Sequence, residues 1–322
     1  MSFLHDEPDF SALVSVVAAR KGIAAGLVEK DYWITHLLWS LQHLGFDVWF
    51  KGGTSLSKGF GLIQRFSEGL DVRLDPPASL TFPAVSSWKS ETASATQQRT
   101  AWADHLIRSV QIPGVSLSID PATTDPGWRS IGIRATYASH HLGTLPGALR
   151  PFVLLEIGHA RVTPASPRRI TSFVHDHVWV GTVPVAYVDN RPLALACVHP
   201  AVTALEKLHA IARRFRREDI EPAAFVRHYE DVAMIVGALD RFSSIPGFGN
   251  VAELAADLVT QRQIRGIPAA DDEVFHPGSS IRWDAVRHAH AAIGDMFWGP
   301  RLPLAKACDV IRAWIILELT AK

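Results

Sequence analysis

Cysteine is nearly absent: Cys197 and Cys308 are the only two in 322 residues. That is too few for a disulfide framework or a cysteine-bound zinc, and it suits a reducing compartment. Net charge is absent too. Lys plus Arg and Asp plus Glu each total 32, so any nucleic-acid binding must come from local patches and not from a basic whole. No apolar run is long enough to span a bilayer. The most apolar tail segment, Ala313 to Leu319, contains Glu318 and falls well short of the roughly 20 residues a spanning helix needs. The opening, Met1 to Phe10, carries Asp6, Glu7 and Asp9 where a signal peptide would carry positive charge and an apolar stretch. These absences predict a cytoplasmic protein with no membrane role. Three motifs are also missing. Lys58 is followed by Gly59 and Phe60 and not by the hydroxyl of a Walker A loop, Gly59-Phe60-Gly61 lacks the third glycine of a dinucleotide fingerprint, and no H-E-x-x-H accompanies the 15 histidines. The pairs His140-His141, His175-x-His177 and His288-x-His290 are expected by chance at that abundance.

What is present is a 48% apolar chain able to build substantial cores. It is organised around Lys51-Gly-Gly-Thr-Ser-Leu-Ser-Lys58, which leaves the apolar run Val48 to Phe50. A buried strand that breaks at paired glycines and then starts a helix leaves backbone N–H groups open to an anion, and a phosphate suits that geometry. Leu70 to Leu74 reads as the next strand, which puts Asp71 where a metal on that phosphate would need a carboxylate. A second acid stands inside the apolar run Phe152-Val-Leu-Leu-Glu-Ile157. If buried, Glu156 must be paired, protonated or metal-bound; the competing reading is an exposed glutamate on an edge strand. Alternation makes Phe152, Leu154 and Glu156 share one face.

The flanking pattern predicts a helix over Leu27 to Leu44 stopped by Gly45, a helix within Ser86 to Gln111, and strands at Val115–Ile119 and Ile131–Tyr137. Glu29 and Asp31 read most simply as favourable charge at a helix N-terminus. From His199 onward the period is helical, with Pro200 and Pro222 opening helices and Val202, Leu205, Leu208 and Ala212 as a buried stripe. Arg227 and Asp231 stand at i and i+4 and read as a surface pair worth under about 1 kcal/mol. The arginine run Arg213 to Arg217 and Arg168-Arg169 are candidate phosphate contacts. A boundary near residue 195 divides a mixed α/β part, 1–195, from a helical part, 196–322.

Five segments in order resemble the AbiEii/AbiGii-type toxins, a branch of the polymerase-beta-like nucleotidyltransferase superfamily. They are Glu29-Lys-Asp-Tyr-Trp33, Gly52-Gly-Thr-Ser-Leu56, Arg65-Phe-Ser-Glu68, Glu206-Lys-Leu-His209 and Arg227-His-Tyr-Glu-Asp231. The resemblance implies an α/β nucleotidyltransferase-type mixed sheet with flanking helices, followed by a helical C-terminal half. It implies transfer of a nucleoside monophosphate from an NTP to an RNA, with tRNA the expected acceptor, and Mg²⁺ or Mn²⁺ as cofactor. It also implies a place in a bacterial toxin–antitoxin or phage-defence system, hence a cognate antitoxin. Carried over by position, Gly52, Gly53, Thr54, Ser55, Lys58, Arg65 and Ser67 would hold the nucleotide. Asp71, Lys207 and Asp231 would be catalytic; Asp71 would hold the metal, together with Glu156, which is added from its place in the apolar run Phe152–Ile157 and lies in none of the five segments.

At one place the chain departs from that pattern. Where the family carries Ser-Glu-Asp-x-Asp, it has Ser67-Glu68-Gly69-Leu70-Asp71, so the first carboxylate of the metal pair is a glycine. Glu68 does not replace it, because alternation points 68 away from the face shared by 69 and 71. The expected consequence is impaired transfer. The alternative is an inactive nucleotide- or RNA-binding protein of the same fold, acting through partners.

Overall fold

The computed structural model describes residues 2–67, 69–147, 149–179, 187–242 and 244–320. The chain divides into two compact units: Met1–Gly59, Ser67–Ala160 and Pro167–Cys197 form the first, and Phe60–Phe66, Arg161–Ser166 and Val198–Lys322 form the second.

The first unit opens with helices α1 (Phe10–Lys21) and α2 (Ala25–His43). Strand β1 (Asp47–Lys51), helix α3 (Gly52–Lys58) and strand β2 (Gly69–Asp75) follow, then α4 (Ala93–Ser109), β3 (Val115–Ile119), β4 (Ser130–Tyr137), β5 (Val153–Gly158), β6 (Ala165–Arg168), α5 (Phe173–Val178) and β7 (Leu195–Val198), with Ala165, Ser166 and Val198 counted in the second unit. The seven strands make one mixed sheet in the order β3-β4-β5-β2-β1-β7-β6. β1 runs antiparallel to β2 and parallel to β7, β2 runs parallel to β5, and β4 is antiparallel to both β3 and β5.

α2 is the spine of this unit. It is buried around almost its whole circumference from Gly26 to Leu38, so its polar residues Glu29, Lys30, Asp31, Thr35 and His36 need partners inside the fold, and Leu37, Leu38 and Leu41 are each no more than 1% exposed. Burial at that level is worth about 1.5 to 3 kcal/mol per side chain. It ends where Gly45, at φ +89°, takes the left-handed turn and Phe46 N–H donates back to the Leu41 carbonyl, the six-to-one closure that glycine permits. α4 is shorter than its polar, alanine-rich stretch suggests. It starts only after Thr92, whose hydroxyl accepts from Ala95 N–H, so the residues before it are turns.

In the second unit α6 (Pro200–Phe215) and α7 (Arg227–Val236) are followed by α8 (Val251–Thr260), α9 (Ile281–Ala292) and α10 (Leu304–Trp314), the last continuing as a π-turn over Ile315–Leu319. His199 caps α6 by accepting from Ala201 N–H, and Pro200 takes the first helical position, where a missing N–H costs nothing. Pro222 opens only a 3₁₀ turn, Pro222–Ala224; the helix that carries Asp231 starts at Arg227. No single helix among the described residues is long and apolar enough to cross a membrane.

Candidate active site

The strand-to-helix junction after β1 is glycine for two physical reasons. Gly52 sits at φ +74°, and a Cβ there would lie 1.9 Å from Asp71 Oδ2, so only glycine gives the turn and leaves the carboxylate its place. Register then sets the row. Lys51 is the β1 partner of Asp71, and Asp71 is the β2 partner of Glu156, which puts Lys51, Asp71 and Glu156 side by side on one face of three adjacent strands. Both acids are half-buried. β5 lies between β4 and β2, so the edge-strand reading of Glu156 falls and the acid belongs to the middle of the sheet.

Gly69 lies on the same face, one pleat from Asp71. A Cβ at Gly69 would lie 2.1 Å from Glu156 Oε2: the glutamate carboxylate fills the space that a side chain at 69 would take. Glu68, read as pointing to the opposite face, lies outside the described residues.

The hydroxyls of the glycine loop face inward. Thr54 Oγ1 donates to the Gly69 carbonyl at 2.9 Å, tying α3 to the start of β2. Ser55 is 1% exposed, with the Cys197 thiol beside it. What this loop offers an anion is therefore main-chain N–H. Lys58 Nζ is engaged in an ion pair with Asp31 Oδ1, both side chains below 10% exposure, and Asp31 Oδ2 accepts from Phe173 N–H at 2.8 Å. Ser67 is half-buried just before β2.

Glu29 and Asp31 are not helix N-terminal charges. α2 begins at Ala25, and no acid lies in its first turn. Glu29, fully buried, accepts from Ser139 Oγ, His140 N–H and His141 N–H at 2.6 to 3.0 Å. Buried carboxylates need such partners, and here tertiary contacts supply them. The histidine pairs are structural as well. His175 bonds Ser172 Oγ and Asn190 Oδ1, and His290 Nε2 lies 2.7 Å from Glu230 Oε1. Among the described residues no group of three or more His, Cys, Asp or Glu is placed to hold a metal.

The second unit assembles its own polar cluster. Asp231, 1% exposed, is held by a two-pronged fork in which Arg65 Nε donates to Oδ1 at 2.8 Å and Nη2 to Oδ2 at 2.7 Å. Lys207 Nζ reaches Oδ2 at 2.9 Å and donates to His228 Nδ1 at 3.2 Å. The expected surface pair with Arg227 is thereby replaced by a buried one, because the carboxylate of Asp231 turns inward. Burial alone would raise the Asp231 pKa; Arg65 and Lys207 outweigh it and hold the group well below the ordinary carboxylate range. Burial first, then Lys207, pushes His228 well below its usual value, so the imidazole is neutral and accepts from the ammonium. Two cations share one carboxylate in a nearly dry setting, an excess of one positive charge that an anionic ligand would offset. His228 stands inside the quoted Arg227-to-Asp231 segment, but its partnership with Lys207 carries no signal in sequence spacing.

A family model described as nucleotidyl transferase AbiEii toxin, type IV toxin–antitoxin system, matches residues 37–291. No curated protein matches the chain in sequence. Among solved structures the chain is similar to MenT4, a nucleotidyltransferase toxin from Mycobacterium tuberculosis, at 19% identity and a TM-score of 0.38, over 95% of this chain and 99% of that one. It is also similar to JHP933 from Helicobacter pylori at 12% identity and a TM-score of 0.42, over 89% of each chain.

Proposed function

Since the chain belongs to the AbiEii family of nucleotidyltransferase toxins, we propose that it transfers a nucleoside monophosphate from an NTP to an RNA acceptor, tRNA foremost, at a centre built on Asp71 and Glu156 and weakened by Gly69. The observation that carries this reading is the in-register pairing of two half-buried carboxylates beside the glycine turn.

Two neighbouring acids fit one Mg²⁺ or Mn²⁺, an ion often bound by one or two carboxylates with substrate phosphates completing its shell; they do not fit a two-ion centre. When bound, that ion supplies charge neutralisation on the phosphates of an in-line displacement. The chain's own residues do the rest. Main-chain N–H groups at Gly52, Gly53 and Thr54 orient the triphosphate. Lys207 supplies a positive charge for the catalytic role, and within the second unit Asp231, itself fixed by Arg65, positions that ammonium. Ser55, Lys58 and Ser67 shape the loop from behind. A cognate antitoxin restrains the activity in the cell, and phage defence is the setting in which release from it would matter.

The test is to incubate each labelled NTP with total tRNA and Mg²⁺. The protein as written should transfer little. Gly69→Asp, which needs only the flexible end of Glu156 to swing aside, should restore transfer, and adding Asp71→Ala should abolish it again. If the protein as written is already fully active and Gly69→Asp changes nothing, the reading of position 69 is wrong and Glu156 supplies that ligand. If Gly69→Asp binds NTP yet transfers to no acceptor, the inactive binding protein is the better account.

A further inference from the structure

The second unit holds a cavity of about 510 Å³ that the proposed chemistry does not use. Its rim carries Arg213 and Arg216 from the end of α6 and Arg265 from the loop after α8, with His209 beside them; Ile267 and Pro268 contribute an apolar wall. A second, smaller cavity of about 140 Å³ is lined by Arg213, Arg214, Arg217, Glu221 and Ala224; Arg213 lines both, so the two cavities are neighbours along one arginine-rich track.

The plain explanation of arginines at a helix C-terminus is that they offset its negative end. That explanation does not reach Arg265, which belongs to another element. It also leaves too many cations, because the Phe215 carbonyl at the end of α6 already accepts from Arg282 Nη1 at 2.7 Å. Arg216 is engaged with Asp272, and Arg214 donates to the Ala224 carbonyl at 2.5 Å. Arg213, Arg217 and Arg265 are exposed, and among the described residues no side-chain hydrogen bond or ion pair engages any of the three. His209 feels the resulting field. Burial lowers its pKa, a hydrogen bond to the Gly266 main chain partly offsets that, and Arg213 and Arg265 lower it further. In a chain of zero net charge, this is a local concentration of forked donors matched to phosphate oxygens.

We infer that this track binds the phosphodiester backbone of single-stranded RNA, with Arg213, Arg265 and Arg217 on successive phosphates and the Ile267–Pro268 wall against a sugar or base. The inference rests on the RNA-acceptor reading above and adds where that acceptor is gripped. Two neighbouring cavities that share Arg213 favour a polymer over a mononucleotide, which would occupy one.

The test is fluorescence anisotropy of a short labelled single-stranded RNA with the full-length protein, without NTP, across a salt series. Arg213→Ala/Arg265→Ala should weaken binding about tenfold or more and reduce the slope of log K against log salt by about 1.4, about 0.7 for each single-strand phosphate that is no longer neutralised. Both side chains are exposed, so the circular dichroism spectrum should not change. Arg287→Ala/Lys306→Ala, which removes two charges from α9 and α10, should leave RNA binding as it was. The assignment is overturned if the parent binds no RNA, if the first double variant keeps the parent's affinity and salt slope, or if it loses affinity for polyglutamate but not for RNA, which would mark a site for an acidic protein. Because no NTP is present, failure of transfer by the Gly69→Asp protein with RNA binding intact counts against the transferase reading alone.

Discussion

Asp231 is held by two cations of different kinds, and the kinds predict different losses. Arg65→Met removes the fork and leaves a buried carboxylate with one ammonium, so it should cost about 3 to 5 kcal/mol. Lys207→Met leaves the fork whole and removes a cation whose burial is itself unfavourable, so it should cost distinctly less while abolishing transfer in the Gly69→Asp background. Urea unfolding of the two variants checks the order; equal losses would mean that Lys207 anchors the cluster as firmly as Arg65 does. The pH dependence has a definite sign. The folded pKa of Asp231 is depressed, so its contribution is complete above the unfolded carboxylate value near 3.9 and disappears only as pH falls toward the lower folded value.

At the level of elements, the pH sensitivity resides in α2 and its neighbours. His36 accepts from Asn190 and faces the Pro113 carbonyl, while His175 takes the other end of the same amide. Burial, first among the causes, lowers both imidazoles to about 4. Their unfolded value is near 6.5, so the unfolded chain binds more protons between those limits and stability falls as pH drops through that window. A loss of up to about 3 kcal/mol per histidine is expected, seen as a decline in urea midpoint from pH 7 to pH 4.5. An unchanged midpoint would mean that both imidazoles are charged in the fold. The β1–α3 junction yields a second prediction. Gly52→Ala meets both a left-handed φ and the Asp71 carboxylate, so it should lower stability by about 1 to 3 kcal/mol and weaken Mn²⁺ binding measured by electron paramagnetic resonance. Retained Mn²⁺ affinity would show that Asp71 is not held in place by the absence of that Cβ.

For the molecule as a whole, the readout is growth. Under the proposed role of Gly69, the protein should slow its host little when expressed as written. Gly69→Asp should arrest growth, and Gly69→Asp/Asp71→Ala should relieve it, because toxicity and transfer depend on the same acids. Arrest by the protein as written, matched by full transfer, would contradict the proposed role of Gly69. Its stability should not fall for want of that side chain, since like charges close together on one face repel. Thermal unfolding of Gly69→Asp at or below the midpoint of the parent checks this.

Much of this protein is legible along the chain. Period-two alternation locates β3 and β4, and an apolar run locates β5, to within a residue of their ends; the Gly45 stop and Pro200 start mark α2 and α6, and five ordered segments point to the family, because local backbone preference and short motifs are written in neighbouring residues. The acids at 71 and 156 are visible as polar residues in apolar runs, but that they are direct partners depends on β2 lying beside β5, which strand order alone decides. Glu29, Asp31, Lys58, Arg65 and Asp231 are charged residues that a linear reading places at helix ends, surfaces or a ligand. Each also acquires a partner distant in sequence, as Arg65 and Asp231 do across 166 positions. A buried charge must find its counter-charge wherever the fold brings one, and the sequence records the need without recording the partner.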